Sequence, residues 1–190
     1  NDLAKAADAC DLICVLTPAT HLFLTAVSLP PLNPNRLLKA IPYALEDQLG
    51  SETKDLHFAF LRDDKTLPVS VGAVSIEQMQ AWIDLLKDAI PNAMQKIQAF
   101  IPDCLCLPYA ENQASVLVDD VITLVRTGEQ LGFSAETSSI IHPLTQWVRN
   151  HKPQKITVYY TKEPLPLPEM GIPIEQQKID SALTFLAQNT

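Results

Sequence analysis

Two rhythms of apolar residues alternate along the chain: short apolar runs of strand character, and stripes recurring every three or four residues as on one face of a helix. Leu3–Ala9 predicts a short helix, and Asp11–Leu16 and His21–Val27 predict strands ended by Pro18 and by Pro30-Pro31. Asn33-Pro34 is a helix start, because Asn caps an N-terminus and Pro fits its first position. The stripe Leu37, Leu38, Ile41, Leu45 and Leu49 extends that helix to a stop at Gly50, with a kink expected at Pro42. Leu56–Leu61 and Leu67–Val74 predict strands joined through Asp63-Asp64-Lys65. Ser75, with Gln78 three residues on, caps a second helix whose inward stripe is Ile76, Met79, Trp82, Ile83 and Leu86. Lys96–Phe100 predicts a strand before the Pro-punctuated passage Ile101–Pro108.

The order then restarts. Ala114–Val118 and Val121–Val125 predict strands around an Asp119-Asp120 turn, and Gly132-Phe133 marks a third. A helix over Glu136–Asn150 points Ile140, Ile141, Leu144, Trp147 and Val148 inward. Lys155–Tyr160 predicts a strand, Pro164, Pro166, Pro168 and Pro173 a stiff connector, and Glu175–Gln188 a last helix. Both halves thus read as strands, helix, strand, helix. The expectation is an α/β fold with mixed sheets in two ribonuclease-H-like lobes of actin-like architecture. In this reading the first lobe is residues 1–108 and the second is 109–190.

Composition narrows the chemistry. The chain has 190 residues, 47% apolar and 6% aromatic, so its core is aliphatic. Its formal charge is −8, with Lys and Arg scattered, which argues against nucleic acid as a partner and against docking to an anionic membrane surface. No stretch approaches the ~20 apolar residues of a membrane helix, so no direct membrane insertion is expected. A start without Met reads as a fragment of a longer protein.

No reactive constellation emerges. Five glycines form neither a Walker loop nor a dinucleotide fingerprint, and Arg126-Thr127-Gly128 reads as a strand end and turn. Cys104 and Cys106, on a segment read as extended, would share one face, while Cys10 and Cys14 span a helix–strand junction. These spacings are not those of zinc sites, so no metal or other cofactor is expected. His21, His57, His142 and His151 have no nucleophile elbow or metal-binding helix beside them and read as structural. A hydrolase using His57 or His142 remains the outlying alternative. The carboxylate pairs Asp63-Asp64 and Asp119-Asp120 read as turns, and Glu46-Asp47 as the polar side of a helix.

One segment is more specific. Arg36–Leu49, containing Pro42-Tyr43-Ala44-Leu45-Glu46-Asp47-Gln48-Leu49, followed by Leu56-His57-Phe58-Ala59, resembles the L-protein family of bacterial type II secretion. Val27–Pro30, Val125–Gly128 and Gly132-Phe133 are similar to the same family, in the same order. The resemblance implies a non-catalytic platform scaffold with an actin-like cytoplasmic domain, one membrane helix and a small periplasmic domain. It implies a place on the cytoplasmic side of the Gram-negative inner membrane, and a first lobe truncated at its N-terminus relative to that family. The expected partner is the N-terminal domain of the secretion ATPase, the E-protein, with the F- and M-proteins contacted by the full-length protein and a homodimer allowed. The alternative is a nucleotide-binding actin-like ATPase. Glu46 and Asp47, within the matched segment, are the candidate partner contacts.

Overall fold

The computed structural model describes residues 2–49, 52–62 and 68–189. The expected stop at Gly50, the Asp63-Asp64-Lys65 connection and Leu67 lie outside them. The chain forms two compact units. Unit 1 comprises Asn1–Thr17 and His21–Ile101, and unit 2 comprises Pro18–Thr20 and Pro102–Thr190. Residues 102–108, given to the first lobe by the sequence reading, belong with unit 2, where a 3-10 turn at Asp103–Cys106 packs against that unit's strands.

Unit 1 runs α1 (Asp2–Ala9), β1 (Ile13–Thr17), β2 (Phe23–Val27), α2 (Pro34–Leu45), β3 (Leu56–Leu61), β4 (Val69–Ser75), α3 (Ile76–Ala89) and β5 (Ile97–Pro102). Strands β2-β4-β3 form an antiparallel sheet, and β1 pairs with β5 separately. Alternation along the strands puts Val27, Val69, Val71, Phe58 and Phe60 on one sheet face, where Leu37, Ile41 and Leu45 of α2 cover them. Each such buried aliphatic contributes about 1.5–3 kcal/mol. Leu38, expected in the same stripe, instead stands 45% exposed, because the inward positions recur as 37, 41 and 45. Asn33 caps α2 as expected, its Oδ1 accepting from the Arg36 N–H at 2.9 Å, and the helix continues through Pro42 before tightening into a 3-10 turn at Glu46–Gln48.

Ser75 caps α3 by accepting from the Gln78 N–H at 3.0 Å. The stripe of α3 is covered less than expected: no residue of the helix is buried, and Ile76 is exposed. Trp82 stacks with Phe100 at 6.5 Å and meets His21 edge-on at 6.2 Å. A smaller cluster joins Ala7 of α1 to Ile90 and Ala93. There the Lys96 ammonium donates to the carbonyls of Ala7 and Asp8, at 3.3 and 2.7 Å, supplying the positive charge that the end of α1 lacks.

Unit 2 runs β6 (Gln113–Val118), β7 (Ile122–Arg126), β8 (Gly132–Glu136), α4 (Ile141–His151), β9 (Lys155–Tyr160), β10 (Ile174–Lys178) and α5 (Ala182–Gln188). Its five strands lie in the order β10-β9-β6-β7-β8. β6, β7 and β8 are antiparallel, while β9 and β10 run parallel to β6. That is the mixed, ribonuclease-H-like order the element pattern implies. Ala114, Val116 and Val118 of β6, Ile156 and Val158 of β9, and Ile140, Leu144 and Val148 around α4 close one core.

Two expectations fail in unit 2. α4 begins at Ile141 rather than Glu136, because β8 takes residues through Glu136. Residues 174–178 form β10 and not the start of the last helix, which opens only after Ser181 caps it through the Thr184 N–H at 3.3 Å. The Pro-rich connector is also partly a core element: Leu165 is buried, and Leu167, Met170 and Ile172 pack against the same cluster. Pro18–Thr20 is tied to the rest of unit 2 by the Ala19 N–H, which donates to the Asp103 carboxylate at 2.9 Å.

Candidate functional site

The positions that could carry chemistry fall into separate places. Cys104 and Cys106 are buried on the 3-10 turn, not on an extended face, while Cys10 and Cys14 are exposed. Burial, reinforced by the nearby Asp103 and Cys106, pushes the Cys104 thiol up to about 12. It is therefore a neutral apolar side chain at physiological pH, unsuited to metal or nucleophilic work. Among the described residues no group of three His, Cys, Asp or Glu is arranged to hold a metal ion.

This thiol arrangement makes a measurable prediction. At about pH 8 a thiol reagent modifies Cys10 and Cys14 quickly, and Cys104 and Cys106 only after unfolding. Above about pH 9 stability falls, because the unfolded chain releases the Cys104 proton that the folded chain retains. Quantifying labelled peptides with and without denaturant, and melting the protein across pH 9–11, checks both.

Arg126 is not a phosphate ligand here. Its Nη1 donates to the Leu105 and Leu107 carbonyls at 2.5 and 2.6 Å, Nη2 to Glu129 at 2.6 Å and Nε to Gly128 at 3.2 Å. The guanidinium also lies over the Tyr109 ring, 5.3 Å from its centre. Burial lowers its pKa, but the ring of carbonyl acceptors holds it in place as a structural clasp.

The β6–β7 turn carries Asp119 and Asp120, both exposed, with Asp120 paired to Lys162. This turn lacks glycine and points carboxylates outward, the reverse of a phosphate cradle. His57 is exposed on β3. His142 lines an open hollow of about 490 Å³ with Ser138, Ser139, Thr145, Gln146 and Arg149. No carboxylate is among these residues to orient the ring, and the Ser139 hydroxyl is already donated to the Glu136 carbonyl at 3.1 Å. The parts of a hydrolytic triad are not assembled there. His151 stacks on Trp147 at 5.1 Å and hydrogen-bonds its carbonyl, as a structural histidine does.

A coherent polar surface does form on α2 and the turn after it. Leu37, Ile41 and Leu45 fix the inward side, so positions 36, 39, 43, 46 and 47 face away from the core. Arg36, Lys39, Glu46 and Asp47 are all exposed, and among the described residues none has an ion-pair partner. Tyr43 stands at their centre, 81% exposed. The sequence reading picked out Glu46 and Asp47 but missed Tyr43. Placing the run on a helical wheel would have found it, since it falls opposite Leu37, Ile41 and Leu45.

No helix among the described residues is long and apolar enough to cross a membrane. The fold resembles the cytoplasmic domain of EpsL, described as an inner membrane component of the type II secretion system of Vibrio cholerae, with a TM-score of 0.78 at 24% identity over 99% of this chain and 77% of that one. The type II secretion system protein L of Dickeya chrysanthemi is 26% identical over 178 residues, 92% of this chain and 40% of that protein. That of Klebsiella pneumoniae is 29% identical over 181 residues, 92% of this chain and 41% of that protein. The chain thus spans about two-fifths of the length of these relatives. The family model for type II secretion system (T2SS), protein L, matches residues 1–190, and the chain belongs to that family.

Proposed function

We propose that this chain is a non-catalytic scaffold of the inner-membrane platform of type II secretion. On this reading it sits on the cytoplasmic side of the membrane and recruits the secretion ATPase by binding its N-terminal domain. The full-length protein would then hold that complex to the F- and M-proteins. The observation that carries the proposal is the family match over the whole chain, joined to an exposed charged stripe, without ion-pair partners among the described residues, on the segment that resembles the family most specifically. A scaffold needs such a surface: one body tethered at the membrane raises the effective concentration of its partner there. The Asp119-Asp120 turn and the committed Arg126 weigh against the alternative of an actin-like ATPase, because phosphate binding needs free donors and close backbone.

Mixing this chain with the N-terminal domain of the cognate secretion ATPase gives a stoichiometric complex on gel filtration. No complex between two well-folded partners overturns the docking reading. Calorimetry with ATP and Mg²⁺ gives no heat of binding, and micromolar affinity would restore the ATPase alternative. Replacing Glu46 and Asp47 together by arginine weakens the complex about tenfold or more without unfolding the chain, because both side chains are exposed and truncating charges at a docking surface costs on this scale.

A further inference from the structure

α2 carries its charges in the order its own backbone disfavours. The N-terminal end of a helix is the positive end of its dipole and the C-terminal end the negative one. Here the first turn contains Arg36 and no acidic residue. The last turn contains no basic residue, and Glu46 and Asp47 follow it directly in the 3-10 turn. Both ends therefore hold the sign that is mildly destabilising there. Elsewhere this chain supplies the missing charge, as Lys96 does at the end of α1. On α2 none of the described residues does so.

The stripe is also ordered. Arg36 and Lys39 lie at one end, Tyr43 in the middle, and Glu46 and Asp47 at the other, over about 15 Å of helix. An exposed tyrosine offers a large flat contact at small entropic cost and is enriched where proteins dock.

We propose that this stripe seats a protein partner presenting the reverse order: a basic group over Tyr43, Glu46 and Asp47, and an acidic group beside Arg36 and Lys39. Arginine fits the first place best, because its planar guanidinium can lie on the tyrosine ring while its N–H groups reach a carboxylate. The inference rests on the docking reading above and names the chemistry of the partner's face. Binding then neutralises both ill-placed ends of α2 at once. The paired signs fix the register of docking and speed encounter at low salt.

The test uses this chain and the N-terminal domain of the cognate secretion ATPase, with affinity measured by calorimetry at two salt concentrations. Tyr43→Ala weakens the complex about tenfold with an unchanged melting temperature, and Tyr43→Phe retains the affinity. Arg36→Glu with Lys39→Glu raises the melting temperature of the free chain by about 2–4 °C, because acidic charge now sits at the positive end of the helix, and yet weakens the complex. A wild-type complex indifferent to Tyr43→Ala and to the charge reversal overturns this inference and leaves the ATPase reading standing. A fall in melting temperature on charge reversal overturns the electrostatic argument. Failure of the wild type to bind removes both readings together.

Discussion

Gly132→Ala destabilises unit 2 by about 3 kcal/mol, at the upper end of overpacking costs. A methyl carbon at this position would lie 2.6 Å from the Val125 carbonyl oxygen and 2.8 Å from the Cys104 sulfur. Neither neighbour can yield easily. Val125 is fully buried in β7, held between Val116 of β6 and Phe133 of β8. Cys104 is fully buried in the 3-10 turn, whose carbonyl accepts from the Leu107 N–H. Relief requires moving either β7 or the turn away from β8. The expected result is a fall of about 6–12 °C in the melting temperature of the 190-residue chain. Thermal melting followed by near-ultraviolet circular dichroism measures it. A loss below about 0.5 kcal/mol would mean that the 103–106 turn slides freely over the sheet, and the packing described for it would be wrong.

Arg126→Met has an effect of the same size for a different reason. Methionine keeps much of the side chain's apolar length, so the change isolates the guanidinium. Four carbonyls, those of Leu105, Leu107, Gly128 and Glu129, lose their donors. Hydrogen bonds to a charged group contribute about 1.5–3 kcal/mol each in net terms, and those near the surface recover water as partner. The expected loss is about 3 kcal/mol. Arg126→Lys should recover less than half, because an ammonium cannot serve carbonyls on several sides with a rigid fork. Hydrogen exchange separates this case from a global loss. Amides of residues 127–131, two of which donate to the Leu131 carbonyl, should lose protection before those of β6. Equal loss in both would show that the clasp holds nothing local.

Much of the architecture was legible because burial and periodicity coincide. Leu56–Leu61 and Lys155–Tyr160 form strands over the expected residues. Asn33 and Ser75 cap the helices they were expected to cap, since short polar side chains before an apolar stripe have few competing uses. β10 was illegible for the opposite reason. Its sequence, Ile174-Glu-Gln-Gln-Lys178, has one half-buried residue and four exposed ones, and only main-chain pairing to β9 makes it a strand. Polar residues at an edge carry no alternation to read. The α3 stripe was read correctly as amphipathic but not as half-covered, because periodicity reports which face turns inward and not how much lies over it. The candidate surface followed the same division. Glu46 and Asp47 could be found from the resemblance, while the prominence of Tyr43 depends on where Leu37, Ile41 and Leu45 are anchored.

Pro18–Thr20 belongs to unit 2 although the chain on both sides of it belongs to unit 1. The two halves are consequently not separable cassettes. A fragment beginning at Pro102 would lack Ala19, and the Asp103 carboxylate would keep the Cys104 N–H but lose that of Ala19, at a place where burial already raises its pKa. Gene fusion or recombination could not exchange this half with a relative's by a single crossover between the codons for Ile101 and Pro102. The three residues Pro18–Thr20 would have to travel with it, so the heritable unit is discontinuous in the gene.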